Sequence, residues 1–385
     1  MLQYSAMKRS LLAGLCLLVL AFAGTGRAVA SSNFDAGIAA SRNHAWDAAI
    51  TILTIALGEP DLPAHRRATA YYERGFAYCE TAQYNKAVAD LTLAIRLESG
   101  HADWWRERAM AYAQEGLTDQ AIADETEAMK FRRNDPALYS ERALLDLDRS
   151  RWQDAIADLS AAIALAPGNA NLYFLRGHAF RLVGESARAV EDESRALDLD
   201  SRLVDAREER AAAYEDQGQY SRALDDFKAK LARQDDIQVR FHIGIAEWYL
   251  GRYSDSAAAF ADLLRRNPGD GNTVLWFALA KTGLGDRSFD ELAQSARGVD
   301  LDRWPGPIIA LYLEKLPLRR LLAIASTGTP QALAQQRCDV DFYVGEWELR
   351  ANPATAKSLF RNAVSACPAD LVVRRTAAFE LARMH

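Results

Sequence analysis

The sequence predicts an all-α protein built as a solenoid of stacked helix hairpins. Its 385 residues exceed what one hydrophobic core usually supports, so the chain contains several domains or a stacked array. A shift of 34 residues aligns the chain with itself without a gap over five consecutive units, in three columns, and this period favours the array. The columns are Ala87, Ala121, Ala155, Ala189 and Ala223; Arg74, Arg108, Arg142, Arg176 and Arg210; and Asp90, Asp124, Asp158, Asp192 and Asp226.

Residues 1–30 have the features of a secretory signal peptide. Lys8 and Arg9 precede an apolar run over residues 11–23, and a small-residue motif follows it. The run is too short to cross a bilayer, which disfavours a permanent membrane anchor. Its cysteine lies inside the run rather than directly after it, which disfavours lipidation. We therefore expect cleavage after Ala30 and a periplasmic or secreted protein; an uncleaved helix left in the membrane is the alternative.

The charge of the chain argues against a nucleic-acid partner. The full sequence has a formal net charge of −6, and removal of residues 1–30 takes away three basic residues and no acid, which leaves −9. Nucleic-acid binding depends on clustered lysine and arginine. We therefore expect no nucleic-acid binding.

The period and the residues at the other fixed positions resemble the tetratricopeptide repeat. This resemblance implies a right-handed superhelix of hairpins, in which the first helix of each hairpin lines the concave face. Five regular 34-residue units span residues 64–235, after a divergent first unit at 31–63 and before a further unit at 236–270. The matching glycine and aromatic positions are Gly75 and Tyr78, Trp105 and Tyr112, Tyr139 and Trp152, Gly177 and Phe180, and Tyr214 and Tyr220.

The arginine and aspartate columns allow two interpretations. Within a unit the two residues are 16 positions apart, and between units they are 18 apart. An aspartate can therefore reach an arginine of its own hairpin or of the following one. We favour a structural ladder of charge-assisted hydrogen bonds that fixes the register of the hairpins. A charged binding stripe for a ligand is the alternative.

Residues 271–385 are expected to form a divergent helical module, because the strict columns stop before it. Pro305 and Pro307 interrupt any helix in its middle. The apolar runs at residues 308–313 and 318–325 predict buried helices. The spacing of aromatic and small residues predicts that the module ends in a hairpin like those of the repeats.

Aromatic and small residues near the end of the chain carry a second resemblance. They are Trp304, the segment 310–313, the segment 341–347, Ala356 and the segment 359–364. Together they are similar to the C-terminal part of the new lipoprotein I family of envelope tetratricopeptide proteins. Members of that family are periplasm-facing scaffolds that dimerise and present envelope proteases and peptidoglycan hydrolases to one another or to substrates. The resemblance implies an adaptor of that kind and a homodimer.

Three cysteines remain after the expected cleavage. Cys338 opens the predicted last hairpin and Cys367 closes it, and antiparallel helices bring both to the same end, within reach of a disulfide. An oxidising compartment favours the bond, and two free thiols are the alternative. Cys79 falls on a first helix, where a small packing residue is favoured over a reactive thiol.

Signatures of enzymes are not recognisable in the sequence. The six histidines are scattered, with no metal-type pair one helical turn apart, and no cysteine pair has zinc spacing. The chain also lacks a Gly-x-Ser-x-Gly elbow and a phosphate-binding Gly-Lys loop. We therefore expect no catalytic residue, no metal and no cofactor.

The predicted binding groove lies on the first helices, where the resemblance places bound peptides. The side chains at these positions are more apolar and aromatic than a purely solvated wall. This favours an extended or helical protein segment held by aromatic anchors and positioned by Arg106 and Arg181; packing against a neighbouring helix is the alternative for each residue. The predicted groove residues are Tyr72, Phe76, Arg106, Met110, Leu144, Phe174, His178, Arg181, Phe241 and Trp248.

These features predict a non-enzymatic periplasmic scaffold or adaptor that mediates protein-protein interactions in the bacterial cell envelope. Its partners would be proteins or peptides, and the family resemblance points to envelope proteases or peptidoglycan enzymes. The alternative is a structural subunit of an envelope export or assembly machine, for polysaccharide, a pilus or secretion. An enzyme is disfavoured because the groove positions lack a cluster of acids and histidines.

Overall fold

The computed structural model describes residues 26–285, 289–368 and 371–384. Within these ranges the chain has 21 α-helices, one 3-10 helix and no strand. The predicted all-α solenoid class is confirmed. Residues 1–25 of the predicted signal peptide lie outside the described residues, and the first helix begins at Gly26. No helix in the described part is both long and apolar enough to span a bilayer.

The first compact unit ends at residue 151. Each of its helices packs against the next along the chain, so that pairs of helices form successive hairpins. Short loops join the helices, which keeps neighbouring helices adjacent in space. The helices are α1 Gly26–Arg42, α2 Trp46–Leu57, α3 Ala64–Glu80, α4 Tyr84–Leu97, α5 Ala102–Gln114, α6 Thr118–Phe131 and α7 Pro136–Asp148.

The second compact unit spans residues 152–385. Its helices up to α15 continue the hairpin pattern, and shorter helices follow before a final group of three. The helices are α8 Trp152–Leu165, α9 Ala170–Leu182, α10 Ser186–Leu199, α11 Val204–Asp216, α12 Tyr220–Leu231, α13 Ile237–Tyr249, α14 Tyr253–Arg266, α15 Gly271–Gly283, α16 Phe289–Ser295, the 3-10 helix Ala296–Gly298, α17 Gly306–Tyr312, α18 Leu318–Ile324, α19 Pro330–Glu348, α20 Pro353–Ala366 and α21 Val372–Arg383.

Small residues lie where the two helices of a hairpin cross. Ala87 is fully buried, and a Cβ atom on Gly75 would lie 2.8 Å from the side chain of Leu91. A larger residue at either position would push the helix backbones apart. Gly345 in α19 has the same relation to Phe360 in α20, at 2.6 Å. The last long hairpin therefore follows the packing rule of the repeats.

The C-terminal helices surround a large aromatic core. Phe260, Phe342 and Phe360 are fully buried and belong to one cluster of buried side chains. Every residue of α17 is buried as predicted. The prediction that residues 318–325 form a buried helix is wrong, because Leu321 is the buried residue of α18 and Leu322 is 48% exposed. A helix of seven residues presents one side to its neighbour, and the rest faces solvent.

A disulfide closes the hairpin of α19 and α20. Cys338 and Cys367 are bonded, with their Cα atoms 5.7 Å apart. Both cysteines are buried, and they lie 29 residues apart in the sequence. The bond joins the two residues that the sequence placed at the same end of this hairpin.

Candidate protein-binding faces

The arginine and aspartate columns form bidentate ion pairs within single hairpins. Arg74 Nε and Nη2 donate to the two carboxylate oxygens of Asp90 at 2.6 and 2.8 Å. The side chains are 15% and 7% exposed, so the pair is part of the structure rather than an open ligand site. The remaining residues of the two columns, Arg142 and Asp158, lie in different compact units. The same bidentate geometry holds for Arg108 with Asp124, Arg176 with Asp192, and Arg210 with Asp226.

Each ladder arginine also donates a hydrogen bond to a hydroxyl group of the preceding hairpin. This column of threonine and serine residues was not predicted from the sequence. Arg108 Nη1 donates to Thr92 Oγ1 at 3.0 Å, and Thr92 lies on the second helix of the hairpin before. Each arginine therefore joins its own hairpin to its predecessor. The signal was present in the sequence, because a threonine or serine recurs every 34 residues from Thr92 to Ser194. The other bonds of this column join Arg74 to Thr54, Arg142 to Thr126, Arg176 to Ser160, and Arg210 to Ser194.

Aromatic side chains line the first-helix face at the start of the first unit. Tyr72 and Phe76 of α3 are half-buried. The Phe76 ring meets the Trp46 ring edge-on at 5.6 Å, and the Tyr72 ring stacks on Trp104 at 5.5 Å. These contacts hold the two predicted anchors in fixed orientations and leave part of each ring accessible.

Exposed apolar side chains continue this face along α5 and α7. Met110 is 39% exposed and Leu144 is 40% exposed. Arg106 is not a free cation, because its Nε donates to a carboxylate oxygen of Glu141 on α7 at 2.6 Å. One carboxylate oxygen of Glu107 finds no hydrogen-bond partner in the described part of the chain, and burial raises the pKa of this group to about 7. The face is therefore apolar and carries acidic groups.

Two residues predicted for the groove of the second unit, Arg181 and His178, contact the carboxylate of Glu209. Arg181 Nε donates to Glu209 at 2.7 Å, and His178 Nδ1 lies 3.1 Å from the other oxygen of the same carboxylate. Burial opposes ionisation of Glu209, but the hydrogen bonds from His178 and Arg181 outweigh it and lower the pKa of this group to about 2. Phe174 packs against a small buried cluster that includes Leu197. These residues link α9, α10 and α11 rather than forming an open site.

The prediction that Trp248 is an accessible groove residue is wrong. Trp248 is 3% exposed, and its ring lies 5.7 Å from Trp276 and 5.9 Å from Phe379 of α21. Phe241 is partly buried against the same aromatic cluster. The final helix, α21, covers this part of α13. The hydroxyl groups of Tyr249 on α13 and Thr376 on α21 are also hydrogen-bonded, at 2.7 Å.

Two buried glutamates replace apolar core residues in alternate units. Glu193 is fully buried, and neither carboxylate oxygen has a hydrogen-bond partner within the described residues. Burial raises the pKa of Glu193 to about 10 and that of Glu125 to about 8. Both side chains therefore hold a proton at neutral pH. The equivalent residues of the other regular units are Leu91, Leu159 and Phe227.

Further candidates for chemistry are the thiol of Cys79 and the groups that could bind a metal ion. Cys79 is buried, and burial raises the pKa of its thiol to about 12. A thiol with such a pKa is a poor nucleophile at neutral pH. In the part of the chain that the structure describes, no group of three or more histidine, cysteine, aspartate and glutamate residues could hold a metal ion.

Comparison with known families agrees with the period and the packing. A family model described as tetratricopeptide repeat matches residues 140–204, 208–271 and 241–291, and a second model with the same description matches residues 68–101. The chain contains tetratricopeptide repeats. Stacked repeats of this type present extended binding surfaces, so the chain is, in general terms, a scaffold for protein-protein interaction.

The curated relatives are much longer than this chain. Tetratricopeptide repeat protein 28 of Homo sapiens is 33% identical over 110 residues, which cover 28% of this chain and 4% of that protein. The Mus musculus protein of the same name is 32% identical over the same length and with the same coverage. The chain thus matches a small fraction of these relatives.

Several solved structures of repeat proteins are similar to parts of the chain. A crystal structure of MamA protein has 21% identity and a TM-score of 0.42, and the match covers 43% of this chain and 90% of that one. A repeat protein from Parabacteroides merdae has 14% identity and a TM-score of 0.47, covering 64% and 98%. YrrB, described as a repeat protein with an unusual peptide-binding site, has 16% identity and a TM-score of 0.43, covering 49% and 94%. At these identities the likeness concerns the fold alone.

Proposed function

We propose that this chain is a non-enzymatic adaptor of the bacterial cell envelope that holds a polypeptide partner on the first-helix face of α3, α5 and α7. The observation that carries the proposal is the accessible apolar surface on these successive helices. Met110 and Leu144 are 39% and 40% exposed, and the half-buried rings of Tyr72 and Phe76 lie on the first helix of the preceding hairpin. Apolar and aromatic side chains with fixed neighbours are the usual anchors of protein interfaces.

The charges beside these anchors favour a partner segment with basic residues. Arg106 is neutralised by Glu141, whereas Glu80 at the end of α3 is exposed. A basic segment gains complementary charge on such a face, and an acidic segment is repelled. The partner expected here is an extended or helical segment that alternates apolar and basic side chains.

The location in the envelope rests on the features of residues 1–30, namely two basic residues, an apolar run and a small-residue motif. We expect the mature protein to begin at Ser31 and to be released with the periplasmic fraction. N-terminal sequencing of the protein purified from its own cells tests this directly. An N-terminus at Met1 in a cytoplasmic fraction would contradict the proposed location and leave the binding face untouched.

The binding face can be tested with a photo-crosslinking amino acid placed at single positions. Met110 and Leu144 are the test positions, and Leu93 on α4 is the matched control, because it is 37% exposed but lies on a second helix. We expect positions 110 and 144 to capture the same polypeptide in living cells and position 93 to capture little of it. Equal capture from all three positions would disprove a first-helix binding face.

A further inference from the structure

A cavity of about 250 Å³ lies among α13, α14, α15, α19 and α21 in the second unit. This volume is slightly below the ~300–1,000 Å³ of typical small-molecule sites, so the cavity suits one side chain better than a cofactor. Its wall combines two aromatic rings, two carboxylates and two guanidinium groups. The residues concerned are Trp248, Tyr253, Glu346, Arg350, Glu380 and Arg383.

The two arginines of the wall already have acceptors, whereas one carboxylate lacks a donor. Arg383 Nη1 donates to Glu380 at 2.8 Å, and Arg350 Nη2 donates to the carbonyl of Thr282 at 2.9 Å. Glu346 is 6% exposed, and its Oε1 has no hydrogen-bond partner among the residues described. A buried carboxylate oxygen without a donor is costly. Glu346 Oε1 and the indole Nε1 of Trp248 are thus two buried polar atoms of the wall without a hydrogen-bond partner among the described residues.

The aromatic part of the wall suits the stem of a basic side chain. The rings of Trp248 and Tyr253 lie 6.1 Å apart and are inclined by 68° to each other. Such rings pack against methylene groups, and their faces attract cations.

We propose that this cavity binds the side chain of a lysine or arginine from a polypeptide partner. Glu346 accepts the N–H groups of the cation, and Trp248 and Tyr253 contact its aliphatic stem. This site lies in the second unit and does not depend on the first-helix face of α3, α5 and α7. Either site can therefore fail its test without affecting the other.

Binding at this site is linked to a proton. Burial raises the pKa of Glu346 well above its ordinary value, and the neighbouring Glu380 carboxylate raises it further, against the opposing effect of Arg383. The other titratable groups that line the cavity are Tyr253 and Arg350. The empty cavity therefore favours the protonated form of Glu346, and an entering cation favours loss of that proton to solvent. Binding should weaken as the pH falls.

The test uses three capped pentapeptides, acetyl-Gly-Gly-X-Gly-Gly-amide, in which X is lysine, arginine or norleucine. Each is added to the full chain while the indole N–H signals are followed by NMR, and the variant Trp248→Phe identifies the relevant signal. We expect saturable shifts of this signal with the lysine and arginine peptides and none with norleucine. Glu346→Gln should weaken binding at least tenfold, because a charge-assisted hydrogen bond is lost. Glu348→Gln, on the same helix but outside the cavity wall, should leave affinity unchanged.

Three results would overturn the proposal. They are equal shifts with the norleucine peptide, unchanged affinity in Glu346→Gln, and equal or tighter binding of free n-butylamine, which would indicate a site for small amines. Calorimetry of the unaltered protein at pH 7, in two buffers of different ionisation enthalpy, provides a measurement that does not need a variant. We expect proton release on binding of the lysine peptide, and binding without proton release would disprove the role of Glu346.

Discussion

The regular hairpins α3 to α6 and the helices from α13 onward hold their neighbours in register by different means. In the regular hairpins the cores are small and rich in alanine, and a buried arginine with two kinds of acceptor joins each hairpin to the one before it. In α13 and α14 the equivalent ladder positions are Ile243 and Ala259. There the helices are held together by a buried aromatic cluster around Phe260 and Trp276.

The difference shows how stability and an accessible face are balanced in this chain. Bidentate pairs are directional and fix register, but desolvation offsets much of their attraction. Aromatic burial adds more free energy per residue, and in α13 it is completed by α21, which covers the face that a partner would need. The ladder hairpins therefore keep exposed residues such as Met110, whereas Ile245 at the equivalent position of α13 is buried.

The largest effect is expected for Phe360→Ala in the aromatic core. Phe360 is fully buried and contacts the helix of Gly345, so truncation should lower the free energy of unfolding by about 4 kcal/mol. Leu322→Ala is the control, because Leu322 is 48% exposed, and it should change stability by less than about 0.5 kcal/mol. Urea denaturation measures both. A loss below about 1.5 kcal/mol for Phe360→Ala would mean that the aromatic cluster does not stabilise this region as described.

A somewhat smaller loss is expected when a ladder arginine is removed. Arg108→Ala strands the buried carboxylate of Asp124 and should cost about 3 kcal/mol. The double variant Arg108→Met with Asp124→Leu should recover most of that loss, because no buried charge is left. Thr92→Val removes the hydroxyl acceptor alone and should cost about 1 kcal/mol. A double variant as unstable as Arg108→Ala would contradict this explanation.

A pH-dependent gain of stability is expected in Glu125→Gln. Burial, with a further contribution from Glu141 and against that of Arg106, raises the pKa of Glu125 to about 8. Between its ordinary pKa and about 8, the folded protein holds one more proton at this site than the unfolded chain does. The free energy of unfolding that this site contributes therefore falls as the pH rises through this range.

Glu125→Gln removes this dependence, because its amide does not titrate. We expect the variant to be about 4 kcal/mol more stable than the unaltered protein at pH 8.5, and the difference to be small near pH 5. Thermal melts at the two pH values measure it. The control is Glu127→Gln on the same helix, whose side chain is 37% exposed and should show no such dependence. A pH-independent difference for Glu125→Gln would contradict a buried, protonated carboxyl.

The binding face could be predicted in part. Its aromatic anchors Tyr72 and Phe76 follow from the register of the repeats, and both are half-buried in the structure. The roles of Arg106 and Arg181 could not be predicted from the three columns, because their partners Glu141 and Glu209 lie on the next first helix and outside those columns. The sequence does not show whether an arginine at a groove position has an ion-pair partner, because that partner lies on a neighbouring helix.

The sequence by itself determined the hairpins and their 34-residue spacing, because both follow from the pattern within one or two neighbouring hairpins. It favoured an arginine and aspartate ladder and a disulfide between Cys338 and Cys367, and the structure decided that Arg74 pairs with Asp90 of its own hairpin and that the two cysteines are bonded. The tertiary structure alone decided that α21 covers α13. The bond between Tyr249 and Thr376 joins residues 127 positions apart, and that between Arg375 and Asp216 joins residues 159 positions apart. Such contacts occur once and do not repeat along the chain, so the local sequence does not predict them.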